Sequence, residues 1–247
     1  MPHQPLLNLV RRRISDPRMI KLIKGWLEAG VMDEGVHIPS DGVGAPQGSV
    51  ISPLLSNIYL HAFDKMWAQS ALPGTLVRYC DDFVILLHPK SDRQWTLQQV
   101  RGMLGRLGLE LHPQKTRVVE AKDGFDFLGV HIRLCRVRKP KAKLKYSARI
   151  WPSKQSVQRI KQKVRDVIGR RYGRTLAEMI KELNPVLRGW SNYHLRARGE
   201  RRRLRKLNRF VRERLRIFLK RKYSDPTRGT RRLHGNLLAR LGLFQLA

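Results

Sequence analysis

Acidic residues are scarce in this chain of 247 residues. Asp and Glu total 19 against 51 Lys and Arg, which gives a formal net charge of +32. The imbalance is one-sided, because residues 1–130 carry 15 basic and 13 acidic side chains whereas residues 131–247 carry 36 and 6. Such an excess repels itself unless a polyanion neutralises it. Nucleic acid is therefore the expected partner, and an anionic membrane surface is the alternative.

Long apolar runs and paired cysteines are also missing. No apolar segment approaches the roughly 20 residues of a membrane-spanning helix, and the N-terminal sequence lacks an apolar leader. The two cysteines, Cys80 and Cys135, lack the spacing of a zinc site or a disulfide framework. Apolar residues still make up 41% of the chain, enough for a sizeable core. We expect a folded cytoplasmic protein without a membrane partner, built as one large domain or two small ones.

Hydrophobic periodicity predicts a mixed first part of the chain. The predicted helices are 5–29, interrupted at Ser15-Asp16-Pro17, 52–67 and 91–107. The predicted strands are 76–79 and 83–87, which form a hairpin, two short runs within 109–120, and 124–134. This order indicates an α+β fold, with an antiparallel sheet covered by helices.

The composition changes near residue 136. Residues 136–145 are basic at every second or third position and have no apolar period, which predicts a linker at 136–150 between domains at 1–135 and 151–247. The last domain is predicted to be all-α, with helix caps at Ser153 and Thr175 and a new segment beginning at Pro185.

The predicted hairpin carries two carboxylates at its tip, Asp81 and Asp82. Mg²⁺ prefers oxygen ligands and commonly takes one or two carboxylates, with water and phosphate oxygens completing its shell. Because adjacent strand residues point to opposite faces, Asp81 is the principal ligand expected and Asp82 the secondary one. An ordinary turn is the alternative, since Asp is a frequent turn residue. The apolar flanking strands favour a cation, because neighbouring buried carboxylates repel each other.

Five segments occur in a fixed order along the chain. They are GAPQGSVISPLLSNIYLHAFD, RYCDDFVILL, LELHPQKTRVV, FDFLGV and ELNPVLRGWSNYH. Together they resemble the group II intron reverse transcriptase/maturase family, which most often has Ala at Cys80 and Gly at Ser49. The resemblance implies a partial right-hand polymerase palm over 1–135 and a basic thumb/maturase domain over 151–247. It also implies an RNA-directed DNA polymerase, a nucleotidyltransferase that binds intron RNA and assists its splicing.

The same resemblance implies roles for individual residues. Asp81 and Asp82 would bind two Mg²⁺ ions that activate a primer 3′-hydroxyl and stabilise the leaving pyrophosphate of a dNTP. Lys115 would neutralise or protonate that leaving group, although a solvent-exposed lysine is the alternative. The nucleotide and template would contact Pro46, Gln47, Gly48 and Tyr79. The primer end would rest on Phe127, Leu128 and Gly129, which periodicity alone assigns to core packing.

The basic helices would bind the phosphates of structured intron RNA, template RNA or an RNA/DNA duplex. The residues expected to do so are Arg188, Arg201, Arg202, Arg203, Arg205, Lys206, Arg209, Arg212, Arg214 and Arg216. A solvated charged face is the alternative for this run. Trp190, Tyr193 and His194 could stack on unpaired bases, or they could be core residues at helical spacing.

One part of the family's palm is not matched in this sequence. The family has a further metal-binding Asp on a strand before the helix that corresponds to Pro5 to Arg13, and neither Asp16 nor Asp64 has that strand setting. We therefore expect negligible polymerisation by this chain alone and a separate N-terminal half as a candidate partner. A gene fragment, a truncated reading frame and one part of a split enzyme are alternative origins.

Two other functions are alternatives to the enzyme. A maturase-like RNA-binding module without catalysis, or a decayed fragment, would retain the basic helices but not need the two aspartates. A basic ribosomal-type protein explains the charge, but it does not explain Gln47, the hairpin and Lys115 together.

Overall fold

The structure is a computed structural model that describes residues 1–33, 36–39, 41–44, 49–136, 146–169, 173–194, 197, 201–224, 233 and 236–246. The helices are α1 (His3–Arg11), α2 (Pro17–Glu28), α3 (Ser52–Gln69), α4 (Arg93–Arg106), α5 (Lys154–Ile168), α6 (Leu176–Tyr193), α7 (Arg201–Lys222) and α8 (Leu237–Arg240). The strands are β1 (Val31–Asp33), β2 (Val36–Ile38), β3 (Thr75–Tyr79), β4 (Asp82–Leu86), β5 (Phe125–Phe127), β6 (Val130–Arg136) and β7 (Tyr146–Pro152). The α+β class is confirmed.

The strands are distributed over small sheets. Among the described residues they pair as β1–β2, β3–β4 and β5–β6–β7, all antiparallel. The prediction of a single covered sheet is therefore wrong, because each hairpin pairs locally. The chain divides into two compact units, Met1–Val118 and Val119–Ala247.

The first unit begins with two helices separated at the predicted break. The Asp16 carboxylate accepts a hydrogen bond from the Arg18 amide at 2.8 Å, and Pro17 occupies the first turn, so the capping residue and the proline together start α2. The apolar faces of α1, α2 and α3 then pack against one another. Their buried residues are Leu6, Leu7, Val10, Ile20, Ile23, Leu27, Leu55 and Tyr59.

Helix α3 also packs on α4 and on the β3–β4 hairpin. The buried residues of this second cluster are Phe63, Trp67, Val100 and Leu104, with Leu76, Phe83 and Ile85 of the hairpin against them. At the base of the hairpin Gly74 has φ +111°, and a Cβ there would lie 2.6 Å from the Leu86 carbonyl oxygen. Glycine is therefore required where the chain enters β3.

Residues 109–120 do not form the two short strands predicted for them. The segment turns at Pro113 to Lys115, and the amides of Lys115 and Thr116 donate to the His112 carbonyl at 3.2 and 3.0 Å. These local hydrogen bonds replace the strand pairing that the β-rich sequence predicts. Lys115 consequently lies in the turn and not on a strand after it.

Residues 124–134 form a hairpin and not one strand. Strands β5 and β6 meet at Leu128 and Gly129, whose φ angles are +47° and +73°. Two successive positive φ angles suit a tight hairpin turn, but Leu is uncommon at such an angle. The apolar alternation continues through the turn, which explains why the sequence predicts an unbroken strand.

The second unit combines the β5–β6–β7 sheet with the remaining helices. Residues 146–150, placed by composition in the linker, form most of β7 and pair with β6. The other linker residues, apart from Arg136 at the end of β6, lie outside the described residues. Since the compact units divide at 118/119, residues 119–136 belong structurally with the helices that follow.

Helices α5, α6 and α7 enclose one apolar core. Its fully buried members include Val164, Met179, Leu183 and Leu215. Pro185 lies inside α6 and does not begin a new segment as predicted. Proline removes one backbone hydrogen bond, but the helix continues because Leu183 and Leu187 on either side of it are buried in the core.

The predicted caps are present in the second unit. Ser153 Oγ accepts from the Ser156 amide at 3.1 Å. Thr175 Oγ1 accepts from the Glu178 amide at 3.3 Å, and the Glu178 carboxylate accepts from the Thr175 amide at 2.7 Å. These reciprocal bonds satisfy two backbone donors at the start of α6.

Replacement of Thr175 by Ala should lower the free energy of unfolding by about 1 kcal/mol, because it removes the side chain that caps α6. Urea unfolding followed by circular dichroism measures the change. Thr175→Ser keeps the hydroxyl and should remain close to the unsubstituted protein. Equal losses for Ala and Ser would contradict a role for the hydroxyl.

Candidate functional site

The two predicted metal ligands lie at the tip of the β3–β4 hairpin. Tyr79 and Asp82 form the last pair of the ladder, and Cys80 and Asp81 make the turn between them. Asp81, Asp82 and Tyr79 are exposed, with Tyr79 at 62%. The structure therefore brings three of the predicted site residues together on one turn, as the sequence predicts.

Helix α3 contacts this turn through Arg78. The Arg78 guanidinium donates to both carboxylate oxygens of Asp64, at 2.8 Å from Nε to Oδ1 and 2.5 Å from Nη2 to Oδ2. Its Nη1 donates to Asn57 Oδ1 at 2.9 Å and to the Cys80 carbonyl at 2.7 Å. The hydrogen bond to the Asp64 carboxylate is the main cause that raises the pKa of Arg78. Sequence reasoning missed this network, although Asn57 and Asp64 lie seven residues apart on one helix face.

The donors at the hairpin tip suit a hard divalent cation. Asp81 and Asp82 expose carboxylate oxygens to solvent, and Mg²⁺ is commonly bound by one or two protein carboxylates. No third His, Cys, Asp or Glu joins them in a metal-binding cluster within the described part of the chain. The residues present fit a cation that completes its shell with water and substrate phosphates.

The other residues predicted for the polymerase site come from three separate segments of the sequence. Lys115 is exposed on its own turn. Pro46, Gln47 and Gly48 lie outside the described residues. Phe127, Leu128 and Gly129 belong to the second unit, where they form the β5–β6 turn and are half-buried.

The β5–β6 turn is attached to the helices of the second unit by two backbone carbonyls. Tyr193 Oη donates to the Leu128 carbonyl at 2.8 Å. The Ser153 amide donates to the Gly129 carbonyl at 2.9 Å. The residues predicted to support the primer are thus held by α6 and by the cap of α5.

A buried polar cluster connects α5 to the C-terminal end of α6. Trp190 Nε1 donates to Ser156 Oγ at 3.0 Å, and Ser156 Oγ shares a 2.8 Å hydrogen bond with His194 Nε2. His194 is only 3% exposed, whereas Tyr193 is 64% exposed. The core alternative therefore holds for His194 and for the half-buried Trp190, and Tyr193 is the aromatic residue of the three that presents its ring to solvent.

The predicted RNA-binding residues are Arg188 on α6 and a set on α7, and they differ in their surroundings. The exposed ones on α7 are Arg202, Arg203, Arg205, Lys206, Arg209 and Arg212. The guanidinium carbon of Arg203 lies 4.7 Å from the centroid of the Trp151 ring, and that of exposed Arg188 lies 5.6 Å from the centroid of the Phe244 ring. Arg216 is paired with Glu213. Arg214 is half-buried, and nothing is described of the Arg201 side chain. Arg212 also lies 3.5 Å from Gln245 Oε1, so Arg202, Arg205, Lys206 and Arg209 present the most available charge.

Helix α7 separates its charges from its apolar residues. Leu204, Leu207, Val211, Leu215 and Phe218 are all buried in the core. The exposed cations occupy the opposite face, and Arg209, Arg212 and Arg216 line a cleft that Leu238 and Ala239 also border. A row of guanidinium groups on a rigid helix suits a phosphate backbone.

In the part of the chain that is described, no helix is long and apolar enough to cross a membrane.

Comparison with known families supports the resemblance seen in the motifs. Residues 1–132 match the family described as "Reverse transcriptase (RNA-dependent DNA polymerase)". Residues 157–235 match the "Group II intron, maturase-specific domain". The two matches define a reverse transcriptase segment followed by a maturase segment. The chain belongs to the reverse transcriptase (RNA-dependent DNA polymerase) family.

Several curated proteins are similar to this chain. Protein YkfC of Escherichia coli is 35% identical over 161 residues, covering 51% of this chain and 42% of that protein. Group II intron-encoded protein LtrA of Lactococcus lactis is 27% identical over 197 residues, covering 54% and 33%. Maturase-like protein 1 of Euglena gracilis is 26% identical over 185 residues, covering 74% and 36%. The matches thus cover less than half the length of each of these relatives.

The buried imidazole predicts a pH dependence of stability. Burial lowers the pKa of His194 below its ordinary value. Below pH about 6.5 the unfolded chain takes up a proton at this residue that the folded chain does not, so the free energy of unfolding should fall as the pH is lowered from there.

The pH dependence can be assigned with two variants. Urea unfolding between pH 5 and 8 should show a smaller fall for His194→Gln than for the unsubstituted protein. His88→Gln, which removes an exposed histidine, should keep the full slope. An unchanged slope in His194→Gln would show that other groups cause it.

Proposed function

We propose that this chain supplies palm and thumb segments of a group II intron reverse transcriptase, an RNA-directed DNA polymerase that also acts as an intron maturase. The proposal rests on one observation above all: the two exposed aspartates of the β3–β4 turn lie within the reverse transcriptase match, and a maturase match follows in the same chain. The names of the relatives agree, since LtrA is a group II intron-encoded protein.

In this proposal Asp81 and Asp82 hold Mg²⁺, which would supply positive charge at the primer hydroxyl and the dNTP phosphates. Tyr79 exposes its ring beside them and can pack against the incoming nucleotide. Lys115 contributes charge at the leaving group, and Pro46, Gln47 and Gly48 contact the nucleotide and template. Phe127, Leu128 and Gly129 support the primer end.

The basic face of α7 binds RNA in the same proposal. Its contacts are mainly with phosphates, so they favour affinity and orientation over base recognition. RNA and the RNA/DNA duplex are the macromolecular partners, and a separate N-terminal half is a further candidate partner. Among Trp190, Tyr193 and His194, Tyr193 is the exposed residue, and it is available for stacking on an unpaired base.

Primer extension tests the catalytic part. We expect extension of a DNA primer on an RNA template, in Mg²⁺, when the chain is mixed with the N-terminal part of a full-length reverse transcriptase of this family. Asp81→Asn and Asp82→Asn should each abolish it, because the metal loses a charged ligand, whereas Asp92→Asn on the helix cap of α4 should not. RNA binding without extension in any mixture would instead indicate a non-catalytic maturase-like module.

Salt-dependent RNA binding tests the basic face. Replacing Arg202, Arg205 and Arg209 together by Gln should reduce the slope of log affinity against log salt by about 2, since each phosphate contact contributes about 0.7 to 0.9. Replacing three exposed cations of the first unit, Lys90, Arg101 and Arg106, provides a charge-matched control. Equal effects of the two triple variants would contradict a specific role for α7.

A further inference from the structure

The turn that carries Asp81 and Asp82 has an unfavourable backbone conformation. Cys80 has φ +53°, in the left-handed region that residues other than Gly, Asn and Asp rarely adopt. The ladder pairs Tyr79 with Asp82, so the strain falls within a turn of only two residues. A non-glycine residue keeps such an angle when surrounding contacts enforce it.

Arg78 provides contacts that enforce this angle. Its Nη1 donates to the Cys80 carbonyl at 2.7 Å, directly at the strained residue. The Asn57 amide donates to Cys80 Sγ at 3.9 Å and holds the same residue from the side-chain end. Both ends of Cys80 are therefore connected to groups that lie on or bind to α3.

The other end of this connection is a rigid helix. Asp64 receives two charge-assisted hydrogen bonds from Arg78, in the bidentate arrangement that fixes both distance and angle. Helix α3 is itself fixed by the buried side chains of Tyr59, Phe63 and Trp67. The Arg78 side chain is only 11% exposed, so this ion pair is shielded from solvent more than a surface pair.

The alternation of β3 shows why an arginine is present at this position. Leu76, Arg78 and Cys80 are half-buried, while Thr75, Val77 and Tyr79 are exposed. Arg78 thus occupies the face of the strand that packs toward α3, where a cation without a partner would be costly. Because both Asp64 oxygens accept hydrogen bonds from Arg78, Asp64 is engaged as its partner and not left open for a metal.

We propose that Arg78, held by Asp64 and Asn57, is a positioning residue that fixes the Cys80-Asp81-Asp82 turn relative to α3. It sets where the two carboxylates lie without contacting metal or nucleotide. The role of Arg78 in catalysis rests on the proposed function, whereas its role in fixing the conformation of the turn does not.

The first measurement is hydrogen–deuterium exchange of the peptide that spans residues 76–86. In Arg78→Gln the amides of this hairpin should exchange about tenfold faster, because a charge-assisted anchor is lost. Asp64→Asn should have a similar effect, and Arg78→Lys should be intermediate since lysine keeps the charge but not the fork. Combining Asp64→Asn with Arg78→Gln should add little to either single change, because both remove the same connection.

Two controls separate positioning from general loss of stability. Arg101→Gln removes an exposed arginine from α4 and should leave the hairpin exchange unchanged. Leu27→Ala removes a buried side chain from the α1–α2–α3 core and lowers stability away from the turn. The two variants are compared under conditions that give them the same free energy of unfolding. If Leu27→Ala then raises the amide exchange rates of the hairpin as much as Arg78→Gln does, the positioning role is wrong. Unchanged hairpin exchange in Arg78→Gln would also overturn it.

The second measurement uses the mixture that supports primer extension. Arg78→Lys should lower kcat about tenfold or more and change KM for dNTP less than twofold, because Arg78 orients the carboxylates and does not bind substrate. A raised KM with unchanged kcat would contradict positioning. If no mixture extends a primer, the proposed polymerase function fails, while the exchange experiment still decides whether Arg78 fixes the turn.

Discussion

Helix α3 packs into two apolar clusters at once, and the structure of the first unit depends on this double packing. Leu55 and Tyr59 pack with α1 and α2, whereas Phe63 and Trp67 pack with α4 and the hairpin. A helix fixed on both sides can carry Asn57 and Asp64 at defined positions. Arg78 connects these two residues to the β3–β4 turn, and in our proposal it thereby fixes where the two carboxylates lie. Catalytic groups held by packed elements are positioned better than groups on free loops.

In the second unit the main constraint is the mutual repulsion of its many basic side chains. Residues 131–247 have 36 basic and 6 acidic side chains, yet α7 buries a continuous apolar stripe. The cations of α7 lie on the opposite face, with Arg203 over the Trp151 ring, and Arg188 of α6 lies over the Phe244 ring. These cation–π contacts limit the cost of placing the charges close together. The remaining repulsion favours binding to a polyanion, since phosphate contacts relieve it.

Local signals were sufficient for much of the fold and for part of the site. The break at Pro17, the caps at Ser153 and Thr175 and the hairpin around Asp81 all follow from neighbouring residues, and each is present. The turn at Leu128 was missed because the apolar alternation continues through it, and the groups that bond its carbonyls, Tyr193 and Ser153, are distant in sequence. Pro185 remains in a helix because of tertiary packing, and Arg78 was missed because its partners lie on another element.

The attachment of the β5–β6 turn has a consequence for how this chain can be divided. The reverse transcriptase match ends at residue 132, in the middle of β6, while the turn is bonded to Tyr193 and Ser153 in the helical unit. A recombination event or a chimera that joins foreign sequence at residue 132 would divide β6 and leave its two partner strands, β5 and β7, in sequences of different origin. A junction near residue 118 leaves both folded units whole. In this chain the structural boundary set by hydrogen bonding therefore precedes the boundary given by family similarity.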